Sequence, residues 1–208
     1  MKKILIAAAI FLTALLLLAF NAKHVSSLFA EPPVRIPILI YHSVDHKGGR
    51  FSVSPEDFRS HLERLYKAGY VTVPLADVLN KKEYLKKQKS IVLRFDDSRP
   101  SQCNYLLDKN GTPSIDPESA VGIILDFYKE HPSFGKNALF ALIAHVGFGQ
   151  EPFIKEKMLF LLNHGMELAN HGYYHVRITN YSPEEIDNNF GKAMAYWHTI
   201  LGAEAVKT

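Results

Sequence analysis

Ser90-Ile91-Val92-Leu93-Arg94-Phe95-Asp96-Asp97-Ser98-Arg99-Pro100 is the stretch on which the reading of this 208-residue chain turns. A short, mostly apolar run bounded by Ser90 and by Ser98-Arg99-Pro100 predicts a buried β-strand. Two adjacent carboxylates stand where that strand ends. Like charges side by side repel and both lose water, so a buried strand seldom closes on them. The pair is tolerable if one acid binds a cation and the other handles protons. The plainer alternative is a solvated strand-to-loop turn, where Asp is common.

The flanking sequence carries the choice. Upstream, Arg35 to Tyr41 predicts a strand closing on His42, and Ser54-Pro55-Glu56-Asp57 predicts a helix start. Phe58, Leu62, Leu65 and Tyr66 continue that helix until Gly69, and Tyr70 to Val73 gives another strand. Leu75 to Leu79 predicts a short helix. Downstream, Ser98 to Asp116 shows neither period and predicts a long loop forming a wall or lid. A helix is expected from Asp116-Pro117-Glu118, then a strand over Asn137 to Ile143 and a helix over Pro152 to Asn163. Met166 to Asn170 reads as a strand, and Ser182-Pro183-Glu184-Glu185 as the capping box of a final helix. Strands alternating with helices imply βαβ units and a largely parallel sheet. Carboxyl ends of parallel strands lie on one rim, where chemistry collects in α/β folds.

His171 stands just past the Met166 to Asn170 strand, and His175 follows four residues later. On a helical turn that spacing puts two imidazoles on one side, close enough to share a metal ion. One Asp with two His is a three-ligand set that leaves a position for water, the pattern of catalytic rather than structural zinc. A chain with ten His produces such spacings by chance, so the shared rim is what favours the metal reading.

Phe95-Asp96-Asp97 resembles the first motif of polysaccharide deacetylases, the NodB-homology domain of carbohydrate esterase family four. Glu167-Leu168-Ala169-Asn170-His171, closing with His175, resembles their second motif. Ile38-Leu39-Ile40-Tyr41-His42 and Asn137-Ala138-Leu139-Phe140 also resemble family strands, so the likeness covers roughly residues 36–201. It implies an α/β fold, a partial (β/α) barrel, holding a divalent metal ion, most often Zn, that removes N-acetyl groups from an amino-sugar polymer. Position by position, it implies Asp97, His171 and His175 as metal ligands and Asp96 as the catalytic general base.

Several positions depart from the pattern. Arg94 stands where the family usually has Thr, and Ser98 where it has Gly. Gly172 replaces a Ser or Thr whose hydroxyl would fix the ligand loop, which predicts a looser loop. The family's later motifs, which supply an Arg, an aromatic wall and a general-acid His, would fall beyond Thr208, so the domain is expected to be incomplete at its carboxyl end. His42, His145, His164 and His198 are expected in structural or surface roles. The competing reading is a non-catalytic envelope protein that binds glycan or metal on a degenerate deacetylase fold.

Met1-Lys2-Lys3 followed by the apolar Ile4 to Phe20 predicts a signal peptide or membrane anchor over residues 1–30, with the domain at 31–208 outside the membrane, anchored or secreted. A net charge of +3 gives no argument for nucleic acid as a partner. The expected partner is an N-acetylated glycan of the cell envelope. Cys103 is the only cysteine, so no intrachain disulfide can staple the fold. Stability must come from the core and any metal.

Overall fold

The computed structural model describes residues 34–202. The paired acids end the central strand, as expected: β5 spans Lys89–Asp96 and is buried from Ser90 to Leu93 and at Phe95 and Asp96. Around it stand β1 (Ile38–Tyr41), β4 (Tyr70–Thr72), β8 (Leu139–Leu142) and β9 (Glu167–Asn170). β4 pairs with the first residues of β5, β1 and β8 with its later ones, and β9 with β8; every pairing is parallel. The carboxyl ends of β5, β8 and β9 therefore share one rim. Neither β1 nor β9 has a further sheet partner among the described residues, so the parallel sheet is open at both edges there.

The helices form where the capping chemistry falls. Ser54 accepts a hydrogen bond from the Asp57 backbone N–H and opens α1 (Pro55–Lys67), with Pro55 in the first turn. The short α2 (Leu75–Leu79) follows β4. Glu167, at the start of β9, caps it from 92 residues away, its Oε2 and Oε1 accepting from Leu75 and Ala76 backbone N–H groups at 2.6 and 2.9 Å. That carboxylate joins two distant parts of the chain by meeting the unpaired donors of a helix start. α3 begins later than its Asp116-Pro117-Glu118 signal suggests. Ser119 is the N-cap of Ala120–Glu130, while Asp116 accepts from Asn104 and from the Glu118 backbone. α4 spans Ile154–Asn163 after a 3-10 turn at Glu151–Phe153, and α5 spans Pro183–Leu201 with the Ser182/Glu185 capping box intact.

One face of the sheet carries the core. Leu93, Phe95, Phe140 and Leu142 meet Phe58 and Leu62 of α1, Phe127 of α3, Met158 and Leu161 of α4, and Ala193 and Trp197 of α5. Phe95 lies against Tyr41 and Phe140, ring centroids 5.5 and 5.0 Å apart, a packing that adds to the apolar burial. Register puts Ile38, Ile40, Arg94, Asp96 and Ala141 on the opposite face. Ile38 and Ile40 are 45% and 53% exposed there, so the β1 part of this face is open among the described residues, whereas Val92 on the same face is buried against Val73 and Leu85.

Residues 98–116 are not the patternless loop expected from sequence. After a 3-10 turn at Pro100–Gln102, β6 (Tyr105–Leu107) and β7 (Pro113–Ile115) form an antiparallel hairpin. The Asp108 side chain closes its turn by accepting from the Asn110 and Thr112 backbones. A two-residue bridge, β2 (Ser43–Val44) with β3 (Ser52–Val53), closes the loop after β1. No helix of the described residues is long and apolar enough to cross a membrane. The apolar segment Ile4 to Phe20 lies outside the described residues.

Candidate active site

The chain turns sharply as it leaves β5. Asp97 and Ser98 both adopt left-handed backbone conformations, φ +76° and +46°, costly for residues with a Cβ unless the surroundings fix them. They are fixed. The buried Ser98 hydroxyl accepts from the Ile143 backbone N–H at 3.0 Å, and the Ser98 carbonyl accepts from Phe148 N–H at 3.0 Å. Below them, Gln102 is wholly buried and donates to the carbonyls of His42 and Asp96 at 2.6 and 2.5 Å. Ser98 thus does here what an unsubstituted glycine could not, bonding across to the segment after β8.

This turn aims the Asp97 carboxylate at the loop after β9. Asp97 Oδ1 lies 3.4 Å from His171 Nε2 and 3.3 Å from His175 Nε2. One ligand atom from each of the three residues falls within 4.8 Å of the others. Oδ1 is buried and has no hydrogen-bond partner among the described residues. A buried carboxylate oxygen without a donor, faced by two imidazole nitrogens, fits a cation-binding position. The three predicted ligands therefore meet, and Asp96, the last residue of β5, stands on the same rim with its side chain bonded to Arg94.

The other Asp97 oxygen is engaged. Arg99 donates to Oδ2 from Nη2 at 2.8 Å and from Nε at 3.2 Å. Burial alone pushes the Asp97 carboxyl up, but the Arg99 hydrogen bond and the charges of His175, Arg99 and His42 outweigh it and hold Asp97 below the usual carboxylate range. Arg99 fixes the carboxylate so that Oδ1, and not Oδ2, is presented to the imidazoles. Outer partners of this kind typically contribute 10–100-fold in metal affinity, so Arg99→Ala should weaken zinc binding by roughly that factor. Competition titration against a chelator measures it, and Arg99→Lys should recover only part of the loss because it cannot form the paired bond.

The histidine loop departs from the sequence expectation twice. Residues 171–177 are not helical; the two imidazoles meet, ring centroids 5.7 Å apart, through a turn at Gly172. Gly172 has φ +89°, and a Cβ there would come within 2.9 Å of Asn189 Nδ2. The loop is held without a hydroxyl. Asn170 Oδ1 accepts from Gly172 N–H at 2.8 Å, and Asn189 Oδ1 accepts from Tyr173 and Tyr174 N–H at 3.0 and 2.8 Å. Asn189 is buried on α5, and sequence reasoning passed over it. Its one signal is a polar residue within that helix's apolar stripe.

Two other histidines sit closer to the site than expected. His42 follows β1 and is near enough for its charge to bear on Asp97. His145 follows β8 and shares a cleft of about 410 Å³ with Asp97, Arg99, Tyr174 and His175. Its Nδ1 lies 2.9 Å from the Tyr173 carbonyl, which can only accept, so Nδ1 carries the hydrogen and Nε2 is left without one in the neutral ring. His164 keeps a structural role, bonding through Nδ1 to the Phe160 carbonyl at the end of α4.

No protein-family model matches the chain. A curated relative from Bacillus subtilis (strain 168), named "Putative polysaccharide deacetylase YxkH", is 22% identical over 157 residues, covering 74% of this chain and 48% of its own. The chain thus spans about half the length of the curated relative it matches. Among solved structures, the Streptococcus pyogenes deacetylase PplD in complex with acetate aligns with TM-score 0.62 at 20% identity, over 82% of this chain and 70% of its own. BC0361, a polysaccharide deacetylase from Bacillus cereus, gives 0.58 at 18% identity, over 80% and 48%. A de-N-acetylase from Aggregatibacter actinomycetemcomitans gives 0.52 at 17% identity, over 80% and 75%. The resemblance read from the two motifs therefore holds both in sequence and in fold.

Proposed function

We propose that this protein is an exported, metal-dependent hydrolase that removes N-acetyl groups from an amino-sugar polymer of the cell envelope. The observation that carries the reading is the convergence of His171 and His175 on one buried, unpartnered carboxylate oxygen of Asp97, the residue that follows Asp96 at the end of β5. Relatives named as deacetylases, one of them solved with acetate, support the same chemistry. The amino-terminal Met1 to Phe20 pattern supports export.

Asp97, His171 and His175 would hold a divalent cation, with Zn favoured by the mixed imidazole and carboxylate donors. When bound, such a cation supplies Lewis acidity toward an amide carbonyl and toward water. The chain's own part is to place groups around that position. Arg99 and the Ser98 turn fix Asp97; Asn170 and Asn189 fix the backbone between the two histidines. Asp96 provides the carboxylate that takes a proton from the attacking water. The cleft of about 410 Å³ that Asp97 and His175 share with Tyr174 and His145 is where the acetamido group would enter.

The test is acetate release from N-acetylglucosamine oligomers by the zinc-loaded, full-length protein. Asp96→Asn should lower kcat by about 100-fold or more while zinc content stays at that of the wild type, since general-base removal costs ~10²–10⁴. Zinc binding without acetate release from any such oligomer would leave a glycan- or metal-binding protein and remove the enzymatic reading.

A further inference from the structure

We propose that Arg94 is a positioning residue for Asp96, an inference that rests on the deacetylase reading above. Arg94 and Asp96 are two residues apart on β5 and so point to the same side of the sheet. The residues on either side of Arg94, Leu93 and Phe95, are both 0% exposed in the core on the opposite face, which fixes the strand's orientation. Arg94 Nε donates to Asp96 Oδ1 at 2.6 Å, a short, charge-assisted hydrogen bond.

The neighbours leave little competition for that bond. Arg94 is paired across the sheet with Ile40 and Leu139, and Asp96 with Ala141, none of which carries a side-chain acceptor. Asp96 Oδ2 makes no hydrogen bond among the described residues, and the Asp96 backbone carbonyl is held separately by Gln102. The carboxylate is therefore tied by one oxygen and free at the other. A terminal carboxylate torsion is broad when unrestrained. One short bond from a guanidinium whose own strand is locked narrows it, so that the free oxygen keeps a constant direction at the rim where Asp97 and the histidines meet.

The experiment uses zinc-loaded, full-length wild type, Arg94→Ala, Arg94→Lys, Asp96→Asn and the Arg94→Ala/Asp96→Asn double variant. Zinc content, melting temperature, kcat and KM for N-acetylglucosamine oligomers are read for each. Arg94→Ala should keep wild-type zinc and KM while kcat falls about 100-fold, the scale of a misplaced catalytic group. Added guanidinium should restore part of that kcat, which a purely structural loss would not permit. Removing Arg94 in the Asp96→Asn background should change kcat no further. If Arg94→Ala does not fold, Arg94→Lys carries the test, because an ammonium cannot reproduce the side-on Nε bond and kcat should still fall at wild-type melting temperature. Acetate release with kcat unchanged in both Arg94 variants, or a loss that guanidinium leaves untouched, sinks this inference alone. A wild-type protein that releases no acetate sinks the deacetylase reading, and the role of Arg94 with it.

Discussion

Asp97→Asn is expected to abolish stoichiometric zinc binding, whereas Asp96→Asn should retain about one zinc per chain. The asymmetry is sharp because the two carboxylates are adjacent in sequence yet differ in what they meet. Asp97 Oδ1 is the atom on which both imidazoles converge, and it is the only carboxylate oxygen in the three-residue cluster found among the described residues. Removing it leaves two neutral histidines, one of them with a side chain 61% exposed, and two imidazoles without the carboxylate fall short of the three protein ligands of a catalytic zinc site. Asn is the sharper variant than Ala, because position 97 has φ +76° and Asn tolerates that conformation better. Any loss of zinc then reflects the ligand and not a sprung turn. Elemental analysis after dialysis gives the stoichiometry. Thermal unfolding gives an independent reading: a ligand at 1,000 times its Kd stabilises by about 4 kcal/mol, so wild type and Asp96→Asn should melt later as zinc is added while Asp97→Asn does not. Binding should weaken in acid, since ligating imidazoles must shed their protons. Equal zinc content in wild type and Asp97→Asn would remove the metal assignment altogether.

What was legible in the sequence was local. The strand ending in Asp96-Asp97 shows itself by a short apolar run and its boundaries, and α1 and α5 by caps whose donors and acceptors lie three residues apart. The rim argument then brings Asp97 to His171 and His175 without any knowledge of distances, because parallel strands put their carboxyl ends together. What was not legible depends on partners far away in the chain. That Ser98 tolerates a left-handed turn is decided by bonds to Ile143 and Phe148. Gly172 reads as the loss of a supporting hydroxyl until Asn189, seventeen residues on, is seen to hold the same loop. The 105–115 hairpin escaped because each strand is three residues long and one begins with Pro113, too short for a period to emerge. Its Asn110-Gly111 pair was the available signal. His145 stands two residues past the strand expected over Asn137 to Ile143, and that position was its signal; it lines the cleft because β8 ends on the same rim as β5.

Lys157→Met should stabilise the protein by about 1–3 kcal/mol near neutral pH, and the gain should disappear in alkali. Lys157 lies on α4 with no exposed surface, its Nζ donating to the Phe148 carbonyl at 3.2 Å and facing the rings of Tyr105 and Phe148 at 5.6 and 5.9 Å. No carboxylate is recorded as its partner among the described residues, so one carbonyl and two aromatic faces are all that replace its water. Burial accordingly depresses its pKa from 10.5 to about 8. Below about pH 8 the lysine is charged both folded and unfolded, and the folded state bears the full desolvation cost, about 3 kcal/mol for that difference. Between about 8 and 10.5 the unfolded chain holds more protons than the folded one, so stability rises with pH; above 10.5 the cost is gone. Cys103, Tyr41 and Tyr105, whose pKa values burial pushes up to about 12, act in the opposite direction, because they ionise earlier in the unfolded chain. The Tyr41 contribution is common to both proteins and cancels in the comparison of wild type with Lys157→Met; Cys103 interacts with Lys157, so its thiol is held higher still in the variant, and the comparison is cleanest below the ordinary thiol range. Met fills the same channel with similar volume and keeps contact with the two rings, at the expense of one hydrogen bond to Phe148, which trims the gain toward the lower figure. Denaturant unfolding of both proteins at intervals from pH 7 to 10.5 measures the gap. A gap that is widest at pH 7 and closes with rising pH carries the signature of a buried cation. A Lys157→Met protein less stable than wild type at pH 7 would mean that the Phe148 carbonyl, which sits in the strained loop bonded to Ser98, needs its donor more than the core needs relief from the charge.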